Sequence, residues 1–208
     1  MQKRVGLLDG IVFSGVEALL QASTGGIGPL EAAMTEVKEA GFKVGLHTGG
    51  AYPKRLANLL DRGLVDWVGL DIKATPDRYQ LATGSPAAAK RAESALGVLA
   101  DFDATRGPSG SHGGSDFSWE VRLTLWPGLL RKDRVSATEM VDYAAQVAKW
   151  SRDRGARNFA LQRYRRPPGE TAGPASENIA PLSEGPHWDQ AEAARVLRDV
   201  GFSQVSIR

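Results

Sequence analysis

Short apolar runs alternate with amphipathic ones along almost the whole chain, and this alternation restricts the fold more than any other feature. Gly10–Ser14 (GIVFS), Phe42–Thr48, Asp66–Lys73 (DWVGLDIK), Trp119–Leu125 (WEVRLTL), Asn158–Tyr164 (NFALQRY) and Ser203–Ile207 read as strands. Stretches near Gly15–Ala22 and at Pro29–Ala40, Pro53–Arg62, Ser85–Leu99, Ala137–Arg154 and Asp189–Val200 read as helices. Leu30, Met34 and Val37 share one face of the Pro29–Ala40 segment, and Gly41 stops it. Strands separated by helices run parallel, with the helices packed outside the sheet. Both a doubly wound open sheet and a partial (β/α) barrel have this order.

Parity along the strands separates the two. Val68, Leu70, Ile72 and Ala74 form one side of the third strand, and Gly69, Asp71 and Lys73 the other. Val121, Leu123 and Leu125 oppose Glu120, Arg122 and Thr124, while Phe159 and Leu161 oppose Ala160 and Gln162. A parallel sheet covered by helices on both faces reads as nearly continuous apolar sequence. These strands instead predict helices on one side and a polar, concave, ligand-facing side on the other. The plainer alternative puts the polar residues at strand ends, in solvent. The expected fold is therefore α/β, a partial (β/α) barrel forming one domain over residues 1–208. Gly/Ser-rich residues 103–118 and Pro-rich residues 167–186 are expected to be flexible loops.

Active sites of barrel-type folds sit at the C-terminal ends of the strands. There the sequence places Ser14, Gly15 and Glu17, then His47 and Thr48, Asp71 and Lys73, Arg122 and Thr124, and Gln162. The set suits a ligand that carries a carboxylate, an ammonium and a ribose. Arg122 or Lys73 would hold the carboxylate. Glu17 and backbone carbonyls would hold the ammonium, and Asp71 would accept from a ribose hydroxyl. Structural readings compete: His47 as a hydrogen-bonded strand-end histidine, and Asp71, Lys73, Glu120 and Arg122 as a charge cluster. The TGGIG segment at residues 24–28 does not fit a phosphate loop, because no Gly-Lys-Ser/Thr follows it.

Composition narrows the chemistry. There is no cysteine, so these residues supply no disulfide, thiolate nucleophile or cysteine-held cluster. A formal net charge of +2 gives no basic surface for nucleic acid. No apolar stretch approaches a membrane span, and Asp9 and Glu17 interrupt the signal-like N-terminus, so the cytoplasm is the expected location.

VFSGVEALLQ, GFKVGLHTGGAYP, LVDWVGLDIKA and VRLTLWPGLL, in that order, resemble the radical S-adenosylmethionine (SAM) superfamily. Within it, they are most similar to anaerobic ribonucleoside-triphosphate reductase activating proteins. The resemblance runs from about Gly6 to about Arg166. It implies SAM as cofactor beside a [4Fe-4S] cluster, whose electron cleaves SAM to make a glycyl radical on the reductase or another glycyl radical enzyme. A flavodoxin or ferredoxin would donate the electron. It further implies that Gly15-Val16-Glu17-Ala18 stands at the family's Gly-Gly-Glu-Pro turn, which receives the SAM amino group. His47-Thr48 would lie near the methionyl part, Asp71-Ile72-Lys73 at ribose and carboxylate, and Arg122 against SAM; Ser14 and Gln162 join the expected SAM-binding set through their strand-end positions.

The departures are the second Gly and the Pro of that turn, and the Cys-x3-Cys-x2-Cys loop with its strand. The resemblance thus predicts a truncated or degenerate activating protein with its first βα unit missing. His47, His112 and His187 do not replace three thiolates at that spacing. Two other functions fit the same residues: a non-catalytic remnant that binds SAM or docks a partner along its exposed first strand, and a metal-independent barrel enzyme acting on a small anion through Lys73.

Overall fold

The computed structural model describes residues 8–106, 117–130, 135–164 and 188–208. Six strands form its sheet: β1 (Gly10–Phe13), β2 (Lys43–Thr48), β3 (Trp67–Asp71), β4 (Ser118–Leu125), β5 (Asn158–Arg163) and β6 (Gln204–Ile207). Each pairs in parallel with the next in sequence, giving the order β1-β2-β3-β4-β5-β6. The connecting helices are α1 (Pro29–Glu39), α2 (Pro53–Asp61), α3 (Tyr79–Thr83), α4 (Ala88–Arg106), α5 (Ala137–Arg152) and α6 (Gln190–Asp199). A sheet that always grows toward the same edge through right-handed crossovers carries every helix on one face. The fold is α/β, with an open parallel sheet in the strand order of a barrel segment.

The apolar parity is buried against the helices, and Gly45, Gly69, Glu120 and Ala160 of the opposite face are buried as well. Val44, Leu46, Val68, Leu70, Val121, Leu123, Phe159 and Leu161 are buried on the helix side against Met34, Leu56, Leu59, Leu96, Leu99, Met140 and Val147. Each such side chain contributes roughly 1.5–3 kcal/mol on burial. Helix starts are set locally. Pro29 opens α1, Ser136 and Glu139 form a reciprocal cap on α5, and the Asp189 carboxylate accepts from Glu192 N on α6.

The structure corrects three element assignments. The segment near Gly15–Ala22 is not an α-helix; Glu17 caps a single 3₁₀ turn at Ala18–Gln21. Helix α4 continues past Leu99 to Arg106, through a stretch whose Phe102 ring meets Phe117 edge-on at 5.0 Å. The expected loop from 103 therefore begins inside a helix, and β4 already includes Ser118. Helix α3 was not anticipated, since five residues are too few to show a 3.6-residue period; the buried Tyr79 and a left-handed Gly84 (φ 71°) define its ends. His112, His187 and residues 167–186 lie outside the described residues. No helix among the described residues is long and apolar enough to cross a membrane.

Candidate functional site

The parallel register lays the polar parity out in rows across the face away from the helices. Val12, Gly45, Trp67 and Ser118 form one row, and His47, Gly69 and Glu120 the next. Asp71, Arg122, Ala160 and Ser206 follow, with Thr124 and Gln162 paired beyond them. The sequence-predicted Asp71, Lys73, Arg122, Thr124 and Gln162 thus converge, with Ser14 and His47 beside them.

Asp71 sits between two cations. Lys73 Nζ donates to its Oδ2 at 3.1 Å, and Arg122 Nε lies 3.4 Å from its Oδ1. Arg122 Nη2 donates to Gln162 Oε1 at 3.3 Å, an oxygen that also accepts from Thr124 Oγ1 at 3.4 Å. The Nε contact with Asp71 is an ion pair without hydrogen-bond alignment. Both Nε and Nη1 are buried with no acceptor among the described residues. Nη1 therefore has no partner among the described residues and Nε only an unaligned one, an arrangement that a bound acceptor would improve.

Gly69 makes room for this arrangement. A Cβ at that position would lie 2.7 Å from Trp67 Cη2, 2.8 Å from Arg122 Cδ and 3.0 Å from His47 Cδ2. The Arg122 stem therefore lies flat across β3. Beneath Lys73, the Tyr79 hydroxyl accepts from the Lys73 backbone N–H at 3.2 Å, and burial pushes its pKa up to about 12. It is a neutral prop, not an acid.

His47 faces Ser14, with Nδ1 3.3 Å from Ser14 Oγ, and meets Trp67 edge-on at 5.3 Å. Burial and then the Arg122 charge lower its pKa, against an opposing pull from Asp71. The folded imidazole therefore takes up its proton less readily than the unfolded one, which titrates at about 6.5. Its share of stability is complete above that pH and is lost as the pH falls below it. An NMR titration of His47 is expected to show a midpoint below the ordinary histidine value. His47→Gln is expected to blunt the fall in urea midpoint between about pH 7 and 5, and a midpoint at or above the ordinary value would refute the prediction.

Three predicted residues, Thr48, Glu17 and Gly15, lie elsewhere. Thr48 has the helix-side parity and is buried; its hydroxyl donates to Glu17 Oε1 at 2.8 Å and accepts from Gly50 N at 3.0 Å. Glu17 also accepts from Leu19 N and Gly49 N, so the pair pins the turn after β1 to the end of β2. Gly15 stands in an open bend, and the Val16 side chain is fully exposed, so a branched residue meets no obstacle there.

Sequence reasoning left Glu120 and Arg208 out of the site. Arg208 Nη1 lies 3.1 Å from Glu120 Oε1, and Nη2 donates to Oε2 at 3.3 Å. The parity that selected Arg122 also selects Glu120, two residues earlier on the same strand. Among the described residues, no three His, Cys, Asp or Glu side chains gather in a way that could hold a metal.

A stretch of 76 residues is 36% identical to a Methanocaldococcus jannaschii protein provisionally named a glycyl-radical enzyme activating enzyme. The likeness is partial. It covers 35% of this chain and 28% of that relative. No family model matches the chain. Among solved structures, orotidine 5′-phosphate decarboxylase from Lactobacillus acidophilus aligns with a TM-score of 0.36 and 14% identity, over 84% of this chain and 70% of that one.

Proposed function

We propose that the polar face is a SAM site and that the chain is a barrel segment of the radical SAM kind, related to glycyl-radical enzyme activating proteins. The observation that carries this reading is Arg122, whose buried Nη1 has no acceptor among the described residues and whose Nε meets Asp71 only as an unaligned ion pair, while Gln162 accepts from Nη2. A ligand carboxylate answers those donors with charge-assisted bonds. Lys73, paired with Asp71, adds a second cation, and in this reading the Asp71 carboxylate accepts from a ribose hydroxyl. His47, neutral near pH 7, offers a ring nitrogen without adding charge. The partial likeness to a glycyl-radical enzyme activating enzyme supports the same family, and with it a glycyl-radical enzyme as partner.

In that family the bound cofactor supplies a sulfonium whose cleavage yields the radical. The accompanying [4Fe-4S] cluster does not fit these residues. It takes thiolates, the chain has none, and no metal-ligating group of three forms among the described residues. Ligands for a cluster would have to come from beyond these residues; the side chains described here bind and orient.

Isothermal calorimetry with SAM, 5′-methylthioadenosine and methionine tests the reading. Saturable one-to-one binding of SAM, tighter than either fragment, is the expected result. Absence of SAM binding at millimolar ligand overturns it. A second reading, docking of a glycyl-radical enzyme along β1, is favoured by the exposed Leu8, Val12 and Val16 on or beside its outer edge, against which no further strand of the sheet lies among the described residues. Loss of co-elution with the purified enzyme on Val12→Asp would support it.

A further inference from the structure

The carboxylate that the resemblance assigns to the ammonium of SAM is already tied to its own turn by three bonds, with one acceptor site left on Oε2. Glu17 Oε1 accepts from Leu19 N at 3.2 Å and Thr48 Oγ1 at 2.8 Å, and Oε2 accepts from Gly49 N at 3.0 Å. Glu120 is the opposite case. It is 9% exposed, and its Oε1 has no hydrogen-bond donor among the described residues. It stands two residues before Arg122 on β4, so both side chains leave the same face roughly 7 Å apart at the backbone. One strand thus presents a buried carboxylate oxygen that Arg208 meets only off-line next to a buried guanidinium whose Nη1 has no acceptor among the described residues. A ligand end bearing both an ammonium and a carboxylate satisfies the two together, and either charge alone leaves one of them unpaired.

The cation at Glu120 in this structure is Arg208. Its side chain is 48% exposed, it makes one aligned bond to Oε2, and its approach to Oε1 is off-line. An exposed, imperfectly aligned arginine gives up a carboxylate more readily than a buried, bidentate one. We propose that Glu120, not Glu17, receives the ammonium of the ligand, displacing Arg208, while Arg122 receives the carboxylate. The face is then a reader of α-amino-acid zwitterions. This rests on the reading of the face as a SAM site.

Calorimetry on the full chain, comparing SAM, S-adenosylhomocysteine and 5′-methylthioadenosine, tests the proposal. Glu120→Gln is expected to weaken SAM and S-adenosylhomocysteine alike by about tenfold or more. It should leave 5′-methylthioadenosine, which lacks the amino-acid end, within about twofold. Arg208→Ala is expected to tighten SAM by about threefold, since it removes the competing cation. Unchanged SAM affinity in Glu120→Gln overturns the proposal, as does a loss confined to SAM, which would assign Glu120 to the sulfonium. If circular dichroism shows Glu120→Gln unfolded, Arg208→Ala decides: unchanged or weaker SAM binding overturns the proposal. Failure of the parent protein to bind any of the three ligands removes the SAM site itself, a result distinct from either variant outcome.

Discussion

Glu31→Ala is expected to lower the stability of the protein by about 2–4 kcal/mol, without touching the polar face. Glu31 is completely buried in the first turn of α1. Its Oε1 accepts from Ser23 N at 2.6 Å and its Oε2 from Gly28 N at 3.0 Å. The side chain thus folds the TGGIG segment back onto the helix that follows. Ser23 Oγ takes the amides of Gly25 and Gly26, and Arg62 Nη1 donates to the Gly26 carbonyl. Alanine leaves two half-buried amides without acceptors, at about 1–3 kcal/mol each. For a chain of this length, the melting temperature should fall by about 5–12 °C. Glu31→Gln retains one good acceptor oxygen and should lose about half as much. Urea unfolding followed by tryptophan fluorescence measures both. A Glu31→Ala variant as stable as the parent would show that the turn does not need its internal anion. The same geometry explains why this glycine-rich segment is no phosphate cradle: its three glycine amides already have intramolecular acceptors.

Much of the fold was legible because the strands have two unlike faces. In DWVGLDIK and WEVRLTL the alternation assigns Val68, Leu70, Ile72, Val121, Leu123 and Leu125 to one side and Gly69, Asp71, Glu120, Arg122 and Thr124 to the other, and the structure keeps that division, while Trp67, which it did not assign, lies on the polar face. Burial is a one-residue property, so a two-residue period records it directly. What the sequence hid depends on partners distant in the chain. Glu17 reads as a ligand group until Thr48 and Gly49, more than thirty residues on, are found bonded to it. Thr48 looks like a neighbour of His47 in a pocket, yet adjacent residues on a strand point to opposite faces, and Thr48 is buried on the helix side. Glu120 was visible by parity but could be valued only once its missing donor, and Arg208 lying against it, were known. Helix α4 outran its predicted end because Phe102 finds Phe117 across a connection that carries no period of its own.

Arg122→Ala is expected to reduce SAM affinity by about 30-fold to several hundred-fold, from the roughly 2–4 kcal/mol lost when one partner of a buried, charge-assisted pair is truncated. The fold should survive. Arg122 does not fill the core; it lies over Gly69, and the Asp71 carboxylate that it would leave behind is part-exposed. Asp71 keeps Lys73, and Gln162 keeps Thr124. Two further readouts separate a lost ligand contact from a general collapse of the face. The first is His47: Arg122 is the second cause of its lowered pKa, so the imidazole should titrate higher in the variant, though still below the ordinary value because burial is the larger cause. The second is Arg122→Lys. It restores a charge but not the planar fork, and two donors in fixed geometry are what the ligand carboxylate would use. Arg122→Lys should therefore recover the His47 titration while recovering little of the affinity. If lysine restores SAM binding fully, the arginine acts only as a point charge, and the fork geometry held by Asp71, Gln162 and Gly69 has no part in recognition.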